Sequence, residues 1–373
     1  MRSPSNRLPY VDNLRWSMIL LVLGVHAAIP YSHIGPWYVY DPRPPSPIET
    51  HLFLAFEATA QAFFMGFLFF LAGVFAPAAC DRRGIGGFVR ERLVRLGVPT
   101  LGFMLVVQPL IICYLMRIWP RGFWHGFLTI YLPSKYFPSG SGPMWFALAL
   151  LIFSLIYALA RRLGVAIRPP LPASAAGLAA LGLLIAVLAF LVRWVQPIGT
   201  SVLNMQLCYF VQYVVLFWIG IAAARQGALD RIPEWRPWMG WALALGVPAS
   251  WLALSAIAGI GRGDWSYLGN GTWQSAVHAV WESLVCVIVC VALLALYRKH
   301  VNDAAPFSRF LSANAFGVYV FHTPILVALT VLMNGEDWSA GTKFVITFVA
   351  TTLLSFAFVH FVARRAPGLR RVM

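Results

Sequence analysis

Ten apolar runs constrain this chain more than any other feature, because each is close to the twenty or so residues that a helix needs to cross a bilayer. They lie at approximately 14–31, 53–79, 97–119, 143–161, 173–192, 203–224, 238–259, 274–297, 312–333 and 343–363. Between them stand residues that end helices and turn chains: Asp41-Pro42-Arg43-Pro44-Pro45, Asp81-Arg82-Arg83-Gly84, Arg168-Pro169-Pro170 and Gly261-Arg262-Gly263-Asp264. The longest gap, about 120–142, is aromatic and contains proline, with room for a short interfacial or re-entrant piece. Composition agrees with this reading. The chain is 60% hydrophobic and 11% charged, against about 25% charged in an ordinary soluble domain. The expected fold class is therefore all-α, a polytopic membrane helix bundle of about ten transmembrane helices.

The net charge of +15 would suit nucleic acid if the basic residues formed a patch with interleaved aromatics, and they do not. They fall in short loops, where positive charge sets membrane orientation. One alternate set of loops is the N-terminus, 80–96, 162–172, 225–237, 298–311 and the C-terminal tail, with clusters such as Arg82, Arg83, Arg90, Arg92 and Arg95, or Arg364, Arg365, Arg370 and Arg371. The other set holds only Arg43, Arg117, Arg121, Lys135, Arg193, Arg262 and Lys343. Both termini are thus expected in the cytoplasm, and a missed or invented span would scramble the alternation. The acidic partner implied is a lipid headgroup or an anionic small molecule, with no nucleic acid.

Arg2 and Arg7 precede the first run as in a signal peptide, but no small-residue cleavage site follows at a convincing distance, so the run reads as an uncleaved first span. Cys80, Cys113, Cys208, Cys286 and Cys290 are scattered, mostly inside spans. Cys286 and Cys290 lack a second ligand pair, so neither a metal site nor a disulfide framework is indicated. With no internal repeat, low-complexity tract or soluble appendage in view, residues 1–373 read as a single integral-membrane domain. Oligomeric state is not legible.

Ionisable residues within spans are costly and point to function by default. The first span opens with Asp12-Asn13-Leu14-Arg15 and carries His26 eleven residues beyond Arg15, roughly 16 Å along a helix axis. That places one charge at a membrane surface and one imidazole near mid-depth. An interfacial anchor and a packing histidine are the plainer readings of the two. In the second span Glu57 and Gln61 are one turn apart, followed by a small-residue break at Ala72-Gly73. Glu57 lies toward the outer side, lining a cavity or the interface. Arg92 and Arg95 share a helix face with Arg90 near them, a cluster suited to phosphate and equally to positive-inside anchoring. The fourth span opens with Gly140-Ser141-Gly142-Pro143-Met144-Trp145, where Trp145 fits an aromatic belt. Gln274, His278 and Glu282 recur every four residues as a polar stripe on one helix face, either a structural network or a proton relay or acceptor-binding site. Asn314, Tyr319 and His322 precede Pro324 in the ninth span.

Several of these landmarks, in this order, resemble the membrane acyltransferase-3 family. They are Arg15-x10-His26 preceded by Asp12, Phe69-Phe70-Leu71-Ala72-Gly73, Arg92-Leu93-Val94-Arg95-Leu96-Gly97-Val98-Pro99, Gly142-Pro143-Met144-Trp145-Phe146 and Tyr319-Val320-Phe321-His322-Thr323-Pro324. The similarity spans nearly the whole chain and is nearest the glucan-modifying branch, the glucan biosynthesis protein C type, associated with succinylation of periplasmic glucans. Two departures stand out. The hydrolase-like outer domain that some members append has no counterpart here, and Pro143-Met144 precede Trp145 where many relatives carry a polar residue.

The resemblance implies an acyl-CoA-dependent O-acyltransferase of the bacterial inner (plasma) membrane. It would move a succinyl or acetyl group from cytoplasmic acyl-CoA to a hydroxyl of an extracytoplasmic glycan acceptor, with no bound cofactor. His26 would be the catalytic base and Arg15 its partner. Arg90, Arg92 and Arg95 suit the anionic end of the donor, and Glu57, Trp145, His278, Glu282 and His322 are candidates for relay or acceptor contact. A sugar hydroxyl is a poor nucleophile at neutral pH, and an imidazole that removes its proton during attack is a general base. The alternative is a multi-span transporter or flippase for a glycan or lipid-linked substrate, against which stands the absence of a visible internal repeat.

Overall fold

The computed structural model describes residues 8–134, 137–165, 169–172 and 174–369. Arg2, Arg7, Lys135, Arg168, Arg370 and Arg371 lie outside the described residues. Nine helical runs among the described residues are long and apolar enough to cross a membrane, and one of them divides in two, so that ten spans follow one another: α1 (Pro9–Ser32), α2 (Pro47–Arg92), α3 (93–115), α4 (Trp145–Arg162), α5 (Ala175–Val195), α6 (Leu207–Arg225), α7 (Pro237–Ile257), α8 (Trp273–His300), α9 (Pro306–Met333) and α10 (Ala340–Ala363). No strand interrupts them among the described residues. A short helical piece at 123–131 fills the long gap, its Phe123, Phe127 and Tyr131 packing with Trp119.

Local chemistry sets where several helices start. Ser46 and Glu49 form a reciprocal capping box at the head of α2. Ser174, Thr272 and Ser339 each accept a backbone N–H three residues on, at the heads of α5, α8 and α10. The sequence pattern placed a loop over 80–96, and the structure differs. Helix runs straight through Asp81-Arg82-Arg83 and reverses at one residue, Gly84 (φ 70°, ψ 166°). That backbone region is essentially open to glycine alone. A 69-residue helical run, Pro47–Leu115, therefore folds back as two spans.

The loops expected on one side of the membrane meet one another. Asn13 Nδ2 donates to the carbonyls of Val301 and Asp303, Arg298 to those of Leu229 and Asp230, and Arg161 and Arg225 both bond Asp81. At the other end Lys343 pairs with Asp41, the Gly341 N–H donates to Glu49, and Asn204 Nδ2 donates to the Gly142 carbonyl. Each contact joins loops of one alternate set only, so the parity of ten spans is built into the packing.

The centre of the bundle is the crossing of α2 and α6. A Cβ on Gly73 would stand 2.2 Å from the Phe217 carbonyl oxygen, and one on Gly220 would stand 2.2 Å from that of Phe70. Gly73, expected as a break, lies inside an unbroken helix as the contact that brings two backbones together. Around the crossing, α1, α4, α8 and α9 contribute to one continuous apolar cluster.

Candidate active site

α1 and α9 start from the same end of the bundle, and their histidines arrive at one depth. His26 Nδ1 and His322 Nε2 are 2.8 Å apart, with ring planes within 6° of parallel. His322 Nδ1 lies 2.7 Å from the Tyr319 carbonyl oxygen one turn back. A proline follows each histidine in its own helix. Pro30 has no N–H to give the His26 carbonyl four residues before it, and Pro324 has none for that of Val320. His26 is half-buried, whereas His322 has no exposed surface.

Two other segments close around this pair. The loop after α1 lays Trp37 against His26, ring centroids 5.0 Å apart, and the buried Trp37 indole N–H has no hydrogen-bond partner. Asp41, in the same loop, forms a fully buried ion pair with Lys343 of α10, accepts from the Arg43 N–H and takes its own backbone N–H to the Pro30 carbonyl. The loop is strapped down at its base. From the other direction, the Tyr319 hydroxyl donates to the Pro143 carbonyl. The turn before α4 is thereby tied to the residue whose carbonyl meets His322. Gly142 is required in that turn: its φ is +47°, and a Cβ would stand 2.6 Å from both the Tyr38 hydroxyl and the Phe103 ring. Trp145 lies next to this turn but stacks on Tyr213, 5.9 Å between centroids, beside Phe210 and Phe146. Its surroundings are an internal aromatic cluster rather than a belt.

Arg15 sits at the opposite, basic end of α1. It donates to Ser312 Oγ of α9 at 3.1 Å, pairs with Asp12 at 3.3 Å and lies over the Phe75 ring of α2. Glu91 gathers the second basic cluster, with Arg95 at 3.3 Å, Arg83 at 3.6 Å and Arg92 at 4.0 Å. Arg92 also covers the Phe88 ring, and Arg90 is exposed. Arg83 joins the three arginines read as suited to phosphate, because the reversal at Gly84 brings it back beside Glu91.

His278 and Glu282 belong to a different constellation, whose third member is Arg193. One Arg193 nitrogen donates to His278 Nδ1 at 3.1 Å and another to Glu282 Oε2. Arg193 is 1% exposed and lies over the Tyr209 ring. The sequence pattern placed it in an outer loop, and the structure corrects this: it is a buried residue of α5 whose charge Glu282 balances. His278, accepting from a permanent cation, is neutral with its proton on Nε2, boxed by Trp251, Tyr267 and Trp281. Glu57 of α2 is buried beside Ser32 and Tyr267, and one of its carboxylate oxygens has no hydrogen-bond partner. No hydrogen bond, ion pair or ring contact directly joins His26 or His322 to His278 or Glu282 among the described residues.

An all-helical membrane bundle with paired histidines inside it, a basic surface at one end and a strapped aromatic loop at the other defines a polytopic membrane protein with a built polar site. The family comparison fixes the class more narrowly. A family described as an acyltransferase domain matches residues 8–360, and the chain belongs to that membrane acyltransferase family. No curated protein and no solved structure matches it significantly.

Proposed function

We propose that the protein transfers an acyl group, succinyl or acetyl, from cytoplasmic acyl-CoA to a hydroxyl of an extracytoplasmic glycan in the bacterial inner membrane, with His26 as general base. The observation that carries this is the half-buried His26 imidazole, set inside the bundle and hydrogen-bonded to a second imidazole, in a chain whose family transfers acyl groups. Arg15 and His26 are roughly 16 Å apart along α1, a distance that the extended pantetheine arm of a CoA ester covers. In this reading Arg90, Arg92 and Arg95 receive the anionic nucleotide end, and the thioester reaches His26 from inside. The glycan hydroxyl arrives from outside, beside Trp37.

The step balances without a further reactant. The hydroxyl oxygen attacks the thioester carbonyl as His26 takes its proton, and the C–O bond forms. The C–S bond then breaks, and the thiolate takes the proton from His26 to leave as free CoA. Such a base contributes about 10²–10⁴-fold. The resemblance to the glucan-modifying branch supplies the acceptor class in this reading, and the ordered motifs around His26, Gly73, Trp145 and His322 support acyl transfer itself.

Membranes holding wild type or His26→Ala at matched protein level, given acyl-labelled CoA, test the reading. Label should appear on extracytoplasmic glycan with wild type alone, with release of free CoA that depends on acceptor. Equal labelling by both removes His26 from the chemistry. Substrate movement across the membrane without covalent change would replace the enzyme by a transporter.

A further inference from the structure

The hydrogen-bond chain that ends at His26 has a direction, and the direction decides which nitrogen can act. A carbonyl oxygen only accepts, so His322 Nδ1, 2.7 Å from the Tyr319 carbonyl, carries a proton. A neutral imidazole has one N–H, which leaves His322 Nε2 with a lone pair. His26 Nδ1, 2.8 Å away and in a nearly parallel ring, must then be the donor. Neutral His26 therefore has its proton on Nδ1 and none on Nε2.

We propose that His322 is a positioning residue that locks His26 in the Nδ1-protonated tautomer, leaving Nε2 as the basic nitrogen. The role of His26 as base rests on the function proposed above, but the tautomer does not. His322 has no exposed surface and acts through His26. The logic is that of an activated base whose second nitrogen is oriented by a third group, with an imidazole and a helix carbonyl in place of a carboxylate. The chain is braced at its far end, because the Tyr319 hydroxyl is bonded to the Pro143 carbonyl. When Nε2 takes a proton, the Nδ1 proton can move along the same bond to His322 Nε2. The positive charge is then shared between two rings, with the Tyr319 carbonyl oxygen behind them. In a bilayer, where an isolated cation is costly, that sharing favours the state that forms during attack.

The test uses full-length protein in lipid nanodiscs with ¹⁵N-labelled histidine, the His26 signals being those lost in His26→Ala. Wild type should show His26 protonated at Nδ1 and bare at Nε2. In His322→Phe the ring is kept and the acceptor removed, so the His26 proton should move to Nε2. kcat for acyl transfer should fall about 10²-fold while the KM for acyl-CoA stays within twofold. His322→Gln, which restores an acceptor oxygen, should recover the Nδ1 tautomer and most of the rate. A wild-type His26 protonated at Nε2 overturns the proposal, whether or not the variants fold. So does a His322→Phe protein with unchanged tautomer and kcat. A wild type that shows the Nδ1 tautomer and transfers no acyl group would overturn the proposed function and leave this assignment standing.

Discussion

Arg193 shows how far a residue's surroundings can depart from what its sequence neighbours imply. It ends an apolar run, the position of an interfacial anchor, and the loop count treats it as one. In the folded chain its guanidinium is 1% exposed and bonded to both His278 and Glu282. The polar stripe on α8 was legible from its period of four, but its partner was not, because periodicity reports a face and not what lies opposite. Breaking a buried ion pair by removing one member costs about 3–5 kcal/mol, whereas replacing both by apolar groups is often neutral. Arg193→Met should therefore sharply lower the folded fraction, measured by thermal unfolding of detergent-solubilised protein. Arg193→Met combined with Glu282→Leu should recover most of it. Equal losses in the single and double variants would show that Arg193 matters through something other than Glu282. Trp37 escaped the sequence reading for a related reason. It lies in a Pro-rich loop with no period, and contacts distant in sequence, the pair of Asp41 with Lys343 among them, hold that loop where Trp37 covers His26. Trp37→Ala should reduce acyl transfer more than Trp37→Phe, since the phenyl ring keeps most of the cover over the imidazole; identical rates in the two would remove packing as its role.

Helices were the legible part of this chain because a span's length and apolar content are properties of the stretch itself. The second and third runs were found with no knowledge of how they join. Their join is not legible, since Asp81-Arg82-Arg83-Gly84 carries loop-like composition while Gly84 alone of the four leaves helical φ/ψ. Glycine has two opposite uses here, and composition cannot separate them. Gly84 meets nothing within 4 Å, so only its positive φ demands glycine, and Gly84→Ala should cost about 1–3 kcal/mol of backbone strain. At Gly73 and Gly220 the backbone is ordinary helix, and space is the constraint. A Cβ at either would overlap a carbonyl oxygen of the facing helix at 2.2 Å, and neither backbone can yield without separating α2 from α6. Gly220→Val should therefore abolish the monodisperse folded peak in size-exclusion chromatography, where Gly84→Ala only lowers its melting temperature. A Gly220→Val protein of normal stability would mean that the two helices do not cross as closely as described.

The molecule as a whole is polarised, and its polarity follows from the same charges that orient it. Basic residues collect at the end where α1 begins, and the contacts among Asn13, Asp81, Arg161, Arg225 and Arg298 tie those loops together. That the basic loops gather at one end was readable by counting; whether any of those charges also binds a ligand was not, because anchoring and phosphate recognition use the same residue. Electrostatics separates the two through Glu91, which lies within 4.0 Å of Arg83, Arg92 and Arg95 and offsets one of their charges. If the cluster receives the anionic end of acyl-CoA, removing the acid strengthens the positive field there, and Glu91→Gln should lower the KM for acyl-CoA. Arg90→Gln with Arg95→Gln should raise it several-fold, with kcat little changed, since a contact made equally before and during reaction alters binding alone. Both shifts should shrink between about 0.01 M and 0.15 M salt, as the Debye length falls from roughly 30 Å to roughly 8 Å. Anchoring predicts a different pattern: the arginine variants would lose inserted protein, Glu91→Gln would leave KM unmoved, and salt would matter to neither. Opposite movements of KM in the acidic and basic variants, on protein that is fully inserted, would identify this surface as the donor's entry.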